Sequence, residues 1–129
     1  MSRIVHFEIA ASDPERLMTF YAQVLNWTFE KWDGPSEYWK ITTGPPHEKG
    51  INGGLIRRSP TGTPISLPTM SFVCTASVDT LDETLAKVVA AGGTIVQSKF
   101  ALPEIGWMAA VRDPEGHVLN LIEYDASPR

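Results

Sequence analysis

His6 and Glu8 are the first residues whose types and spacing could do chemistry. They stand two apart in the stretch Arg3 to Ala10, where apolar and other side chains alternate. In an extended strand that spacing puts both on one face, with Val5, Phe7 and Ile9 on the other. An imidazole titrating near neutrality beside a carboxylate is a workable acid–base pair and an equally workable hydrogen-bonding anchor for a ligand. The plainer alternative is a polar pair that simply bonds to itself within the fold. Asn120 is a third candidate. It alternates with Val118 and Ile122 near the C-terminus, and a buried amide must pair with protein or ligand. Four tryptophans in 129 residues form an aromatic surplus. Trp39 and Trp107 are the candidates to wall a binding cleft against a flat ligand, the alternative being sheet packing. Tyr38, Trp27 and Trp32 belong to the same surplus.

Other polar residues read more simply. Glu123 falls on the strand face opposite Asn120 and suits a structural or rim role. His47 and Glu48 lie in a loop, His117 at a hairpin tip, and Arg57 and Arg58 at a strand end, all expected to be solvated. Cys74, the single cysteine, lies in an apolar stretch and reads as a buried structural thiol. No phosphate-cradling glycine loop, paired-cysteine metal motif or nucleophile elbow occurs.

The elements that must hold these residues follow a repeated order. Residues 3–10 form a strand. Asp13 can cap a helix that opens with Pro14 and Glu15 and carries Leu17, Phe20, Tyr21, Val24 and Leu25 on one stripe. Residues 27–32 and 37–42 flank Asp33-Gly34-Pro35-Ser36 as a hairpin, residues 44–50 are a loop, and Asn52 to Arg57 form a fourth strand. Residues 58–69, rich in proline, serine and threonine, read as a linker. The order then recurs: a strand from Met70 to Val78, and a helix with Thr80 and Glu83 as a capping box and Leu81, Leu85, Val88 and Val89 as its buried stripe. Gly92-Gly93 stops that helix. A strand from Thr94 to Phe100, a loop over 101–106, and a last hairpin through Asp113-Pro114-Glu115-Gly116 complete the chain. A helix followed by three strands, twice, argues against a doubly wound parallel sheet. It implies an α+β domain spanning 1–129, made of two βαβββ modules (about 1–58 and 70–129) whose curved mixed sheets surround a cleft, with helices outside.

Bulk properties narrow the partners. A net charge of −4 gives no reason to expect nucleic acid or an anionic membrane. No apolar run reaches the length of a membrane span, the N-terminus carries no signal-peptide pattern, and one cysteine excludes an internal disulfide. A cytoplasmic setting is expected.

Several stretches resemble the vicinal-oxygen-chelate superfamily, which includes glyoxalases, bleomycin-resistance proteins and extradiol dioxygenases. They are Val5-His6-Phe7-Glu8-Ile9 with Asp13-Pro14-Glu15-Arg16 and Phe20-Tyr21, then Val24-Leu25-Asn26-Trp27, Val78-Asp79 through Gly92-Gly93, and Asp113-Pro114-Glu115-Gly116-His117 with Leu119 to Glu123. The resemblance implies a ligand cleft and, in metal-dependent members, four ligands around a divalent ion. Here only His6 keeps a ligand type. The fourth strand, Asn52 to Ile56, has no acidic residue, the fifth-strand position is Val73, and the last-strand position is Asn120. No cofactor and no metal is therefore expected. The resemblance implies metal-independent binding of a small molecule by a homodimer, through His6, Glu8, Trp39, Trp107 and Asn120. The alternative it implies is a lyase, isomerase or dioxygenase-like enzyme using His6 and Glu8, with or without a divalent metal.

Overall fold

A computed structural model describes residues 1–34, 37–58 and 72–128. Its elements are β1 (Ile4–Ala11), α1 (Pro14–Leu25), β2 (Thr28–Lys31), β3 (Tyr38–Thr42), β4 (Gly53–Arg57), β5 (Phe72–Ser77), α2 (Leu81–Ala90), β6 (Thr94–Leu102), β7 (Gly106–Arg112) and β8 (Val118–Tyr124). This is the doubled βαβββ order of an α+β fold. Two compact units result: His6–Val73, and Cys74–Arg129 together with Met1–Val5. The boundary differs from a clean halving because the first residues join the second unit, where the Ser77 N–H donates to the Arg3 carbonyl at 3.0 Å. The expected linker lies almost wholly outside the described residues.

In the first unit the strands run in the order β2-β3-β4-β1. β2–β3 and β3–β4 are antiparallel, and β4–β1 is parallel. Phe7, Ile9, Ala11, Trp39, Ile41 and Leu55 form one core on the helix side, closed by Leu17, Met18 and Tyr21 of α1. Asp13 caps α1 by accepting from the Arg16 N–H at 3.2 Å, Pro14 sits in the first turn, and left-handed Asn26 ends the helix. The packed stripe is narrower than the apolar pattern suggested. Phe20, Val24 and Leu25 are about half exposed. The helix beds on Leu17, Met18 and Tyr21 instead, and Trp27 stacks on Tyr21 with ring centroids 4.9 Å apart.

The second unit repeats the plan, in the order β5-β8-β7-β6. β5–β8 is parallel and the other pairs antiparallel. Ala76, Val78, Leu81, Leu85, Ala109, Val111 and Leu121 form its core, with Val88 packed at the edge. Val89, expected in the buried stripe, is largely exposed. Thr80 is the N-cap residue but makes no side-chain capping bond. The expected capping box is replaced by Glu123, whose Oε1 accepts from the Leu81 N–H at 2.7 Å. A carboxylate from the sheet thus satisfies the helix start and complements its dipole. Gly92, at φ +95°, closes α2, with the Gly93 N–H reaching the Val88 carbonyl and the Gly92 N–H the Val89 carbonyl. β6 runs on to Leu102, so the expected loop over 101–106 contracts to a tight turn with Glu104 left-handed. Cys74 is exposed, which corrects the buried thiol. Strand alternation places it beside exposed Phe72, short of the stretch that α2 covers.

Candidate functional site

Strand alternation gives the first unit's sheet a second face, turned away from α1. Thr28, Glu30, Tyr38, Lys40, Asn52, Gly54, Ile56, His6, Glu8 and Ala10 follow it by register, with Glu8 opposite Gly54 and Gly54 opposite Lys40. This face is polar, and its chemistry centres on one oxygen. His6 Nε2 lies 2.8 Å from Glu8 Oε1. Tyr38 Oη donates to the same Oε1 at 3.3 Å and lies 3.3 Å from His6 Nε2. The Glu8 side chain is 6% exposed and that of His6 is 28% exposed, so the imidazole is the member open to a visitor. Burial, reinforced by the neighbouring Glu8 carboxylate, raises the Tyr38 phenol well above its ordinary value and keeps it a donor.

Backbone chemistry makes this convergence possible. A Cβ at Gly54 would stand 1.9 Å from Tyr38 Oη and 2.3 Å from its Cζ. The phenol therefore lies flat on bare backbone, in the space where a side chain would be. On the other face of β4, a Cβ at Gly53 would stand 2.6 Å from the Phe7 ring. The glycine pair admits one aromatic ring to each face of the strand, a close approach that only glycine allows.

The aromatic walls differ from expectation. Trp39 is 8% exposed within the helix-side core. Trp107 packs against the helix-side core of the second unit, its indole N–H donates to Asp125 at 3.3 Å, and Lys99 caps its ring at 4.6 Å while pairing with Asp82. Both tryptophans fall on the helix-facing phase of their strands, so packing, not a cleft wall, is what they supply. Trp32 reaches the polar face instead: it stands edge-on to Tyr38 at 6.1 Å and is 39% exposed. Tyr38 was legible only as part of an aromatic surplus. The signal that finds it is parity, since a residue adjacent to core-facing Trp39 must point the other way.

Asn120 lies on the face of the second unit turned away from α2, directly opposite Thr75 across β5–β8. Both are buried, and neither Asn120 Nδ2 nor Thr75 Oγ1 has a hydrogen-bond partner among the described residues. Arg57, expected to be solvated, pairs with Glu37 and, at 3.2 Å, with Glu15. His47, Glu48 and His117 are exposed, with His117 held by Asp113 at 2.9 Å. On the helix side of the first unit, a hollow of about 480 Å³ opens among Leu17, Phe20, Tyr21 and Phe72. Its walls are largely apolar, with Ser12, Asp13 and Arg16 as their polar members, and none of His6, Glu8 and Tyr38 lines it.

The donor set does not fit a divalent ion. His6 and Glu8 are two donors, Nε2 and Oε1 face each other, and Oε1 already takes the Tyr38 hydrogen bond. Among the described residues, no three His, Cys, Asp or Glu side chains gather into a metal-holding group. Catalytic and structural sites ordinarily need three or more protein ligands.

A family model for the glyoxalase/bleomycin resistance protein/dioxygenase superfamily matches residues 3–121. The chain belongs to that superfamily. Solved structures agree at the level of fold. Methylmalonyl-CoA epimerase from Mycobacterium tuberculosis has a TM-score of 0.68 at 14% identity, over 95% of this chain and 87% of that one. A hypothetical protein from Bacillus halodurans C-125 has a TM-score of 0.70 at 14% identity, over 96% and 95%. A superfamily member from Vibrio splendidus 12B01 has a TM-score of 0.63 at 17% identity, over 97% and 100%. No curated protein matches the sequence.

Proposed function

We propose that this superfamily member binds a small molecule on the polar face of its first unit, without a divalent metal. The carrying observation is the convergence of His6 and Tyr38 on Glu8 Oε1, with the imidazole left partly open. A buried carboxylate fixes the ring, the ring offers a polar contact, and exposed Trp32 supplies an aromatic rim. An aromatic ring beside a few fixed polar groups supplies the orienting part of a small-molecule site. Asn120, with its unpartnered Nδ2, is a separate candidate contact on the second unit. The reading includes a cytoplasmic homodimer, supported by the lone cysteine and by the prevalence of two-fold dimers. No described helix is long and apolar enough to cross a membrane.

A second reading has the same residues act as acid and base. It is favoured by the imidazole held on a buried carboxylate at 2.8 Å, an arrangement suited to proton abstraction from a bound substrate. Methylmalonyl-CoA epimerase shares the fold at 14% identity. Its named substrate is a thioester, which makes acyl thioesters sensible first substrates to assay.

Two measurements test the proposal. Native mass spectrometry of the purified protein should show no bound metal; a stoichiometric divalent ion would contradict metal independence. A thermal-shift screen of small molecules should find ligands that raise Tm by mass action. His6→Ala should abolish that rise, and an unchanged rise would move the site elsewhere.

A further inference from the structure

The direction of the hydrogen bonds around Glu8 limits what kind of ligand the polar face can take. A contact of 2.8 Å between His6 Nε2 and Glu8 Oε1 needs a proton between them. Tyr38 spends its only hydroxyl proton on the same oxygen. With two donors served by one carboxylate oxygen, that proton sits on Nε2. In its neutral form an imidazole carries only one N–H, and Nδ1 is then a bare lone pair. No described residue bonds to Nδ1: both contacts of the His6 side chain use Nε2. The ring is also more open than Glu8, at 28% against 6%, and Tyr38 is likewise half-buried.

We infer that the neutral His6 ring presents Nδ1 as a fixed hydrogen-bond acceptor, so that the site selects small molecules carrying a hydroxyl or N–H donor over those that offer only acceptors. This rests on the binding reading given above and adds the chemical class of the ligand. Glu8 and Tyr38 are positioning residues in it. Glu8 sets the tautomer and the ring plane. Tyr38, seated on Gly54, occupies the space over β4 and supplies the second donor to Oε1. A ligand offering only acceptor atoms, such as an ether or ester oxygen, meets a lone pair at Nδ1 and gains nothing there. An anion meets both that lone pair and the nearby carboxylate.

Nitrogen-15 NMR of histidine-labelled full-length protein, at about pH 8.5 where an ordinary imidazole is neutral, reads the tautomer with no ligand present. The expected result is a protonated Nε2 and an unprotonated Nδ1 for His6, retained in Tyr38→Phe. A proton on Nδ1, or an even mixture of tautomers, overturns the inference and leaves the binding reading standing. The same spectra are then recorded with phenols, anilines and alcohols, each paired with its O-methylated or N,N-dimethylated twin that lacks the donor. Donor-bearing members should shift the Nδ1 resonance at concentrations at which their twins do not, with at least a tenfold difference in apparent Kd. Equal response from both members of each pair overturns the donor selectivity. If no member of the panel moves any His6 resonance, the binding reading fails, and this inference with it.

Discussion

The two units share one plan but treat their buried polar residues in opposite ways. In the first, Glu8 is buried with two donors on one oxygen. In the second, Thr75 and Asn120 face each other across an equivalent parallel strand pair, and each keeps a polar atom without a partner among the described residues. A satisfied polar network fixes geometry, whereas an unsatisfied buried group costs about 1–3 kcal/mol. The same scaffold therefore holds an ordered polar centre in one module and an energetic debt in the other. Function is best sought where the order is.

The contrast breaks most visibly at Glu8. Glu8→Leu keeps a side chain in the space but strips both donors of their acceptor. It should cost about 2–4 kcal/mol in urea-unfolding free energy, and a loss well under 1 kcal/mol would show that the network is not coupled. Gly54→Ala comes next. The new methyl would occupy the place of Tyr38 Oη, so stability should fall by about 1–3 kcal/mol, and the cost should vanish in a Tyr38→Ala background. In the second unit Thr75→Val should act with the opposite sign. Removing an orphaned hydroxyl should leave stability unchanged or raise it by up to about 1 kcal/mol, and a clear loss would reveal a partner for Oγ1. Glu123→Gln, which weakens the carboxylate cap on α2, should cost about 1 kcal/mol or less by the same unfolding assay.

The smallest effect is on pH dependence. The Tyr38 phenol is raised in the folded state, so its share of stability is complete below the ordinary phenol value of about 10 and is lost as pH climbs toward the higher folded value. Tyr38→Phe should therefore lose stability less steeply than the wild type in alkaline urea titrations. Parallel slopes would remove Tyr38 from the network.

Most of the fold was legible in the sequence because its signals are local. The Asp13-Pro14 start, the Gly92-Gly93 stop and the alternation of Val5 to Ile9 each have one cheap structural solution. The misreadings came where distant residues decide. Glu123 replaces the Thr80 cap because β8 passes the start of α2. Val24 and Val89 look like core by period, yet the sheet beneath each helix covers only part of its stripe. The candidate site divides in the same way. His6 and Glu8 are linked by the period of a single strand. Tyr38 joins them through the β3–β4 register and a glycine on the strand that follows its own, which no local pattern displays. The flat rings of Trp39 and Trp107 suggest cleft walls, whereas strand phase turns both toward helices.

The central claim, that the ordered polar face of the first unit is where this protein meets a small molecule, is tested most directly by mapping a bound ligand. Side-chain NMR shifts should be followed while a hit from the thermal screen is titrated. The account predicts that His6 and Tyr38 resonances move with the same apparent Kd and that His6→Ala abolishes the response. Saturable binding that leaves both unmoved, with shifts confined to Asn120 or to the hollow beside Phe20 and Phe72, would contradict it.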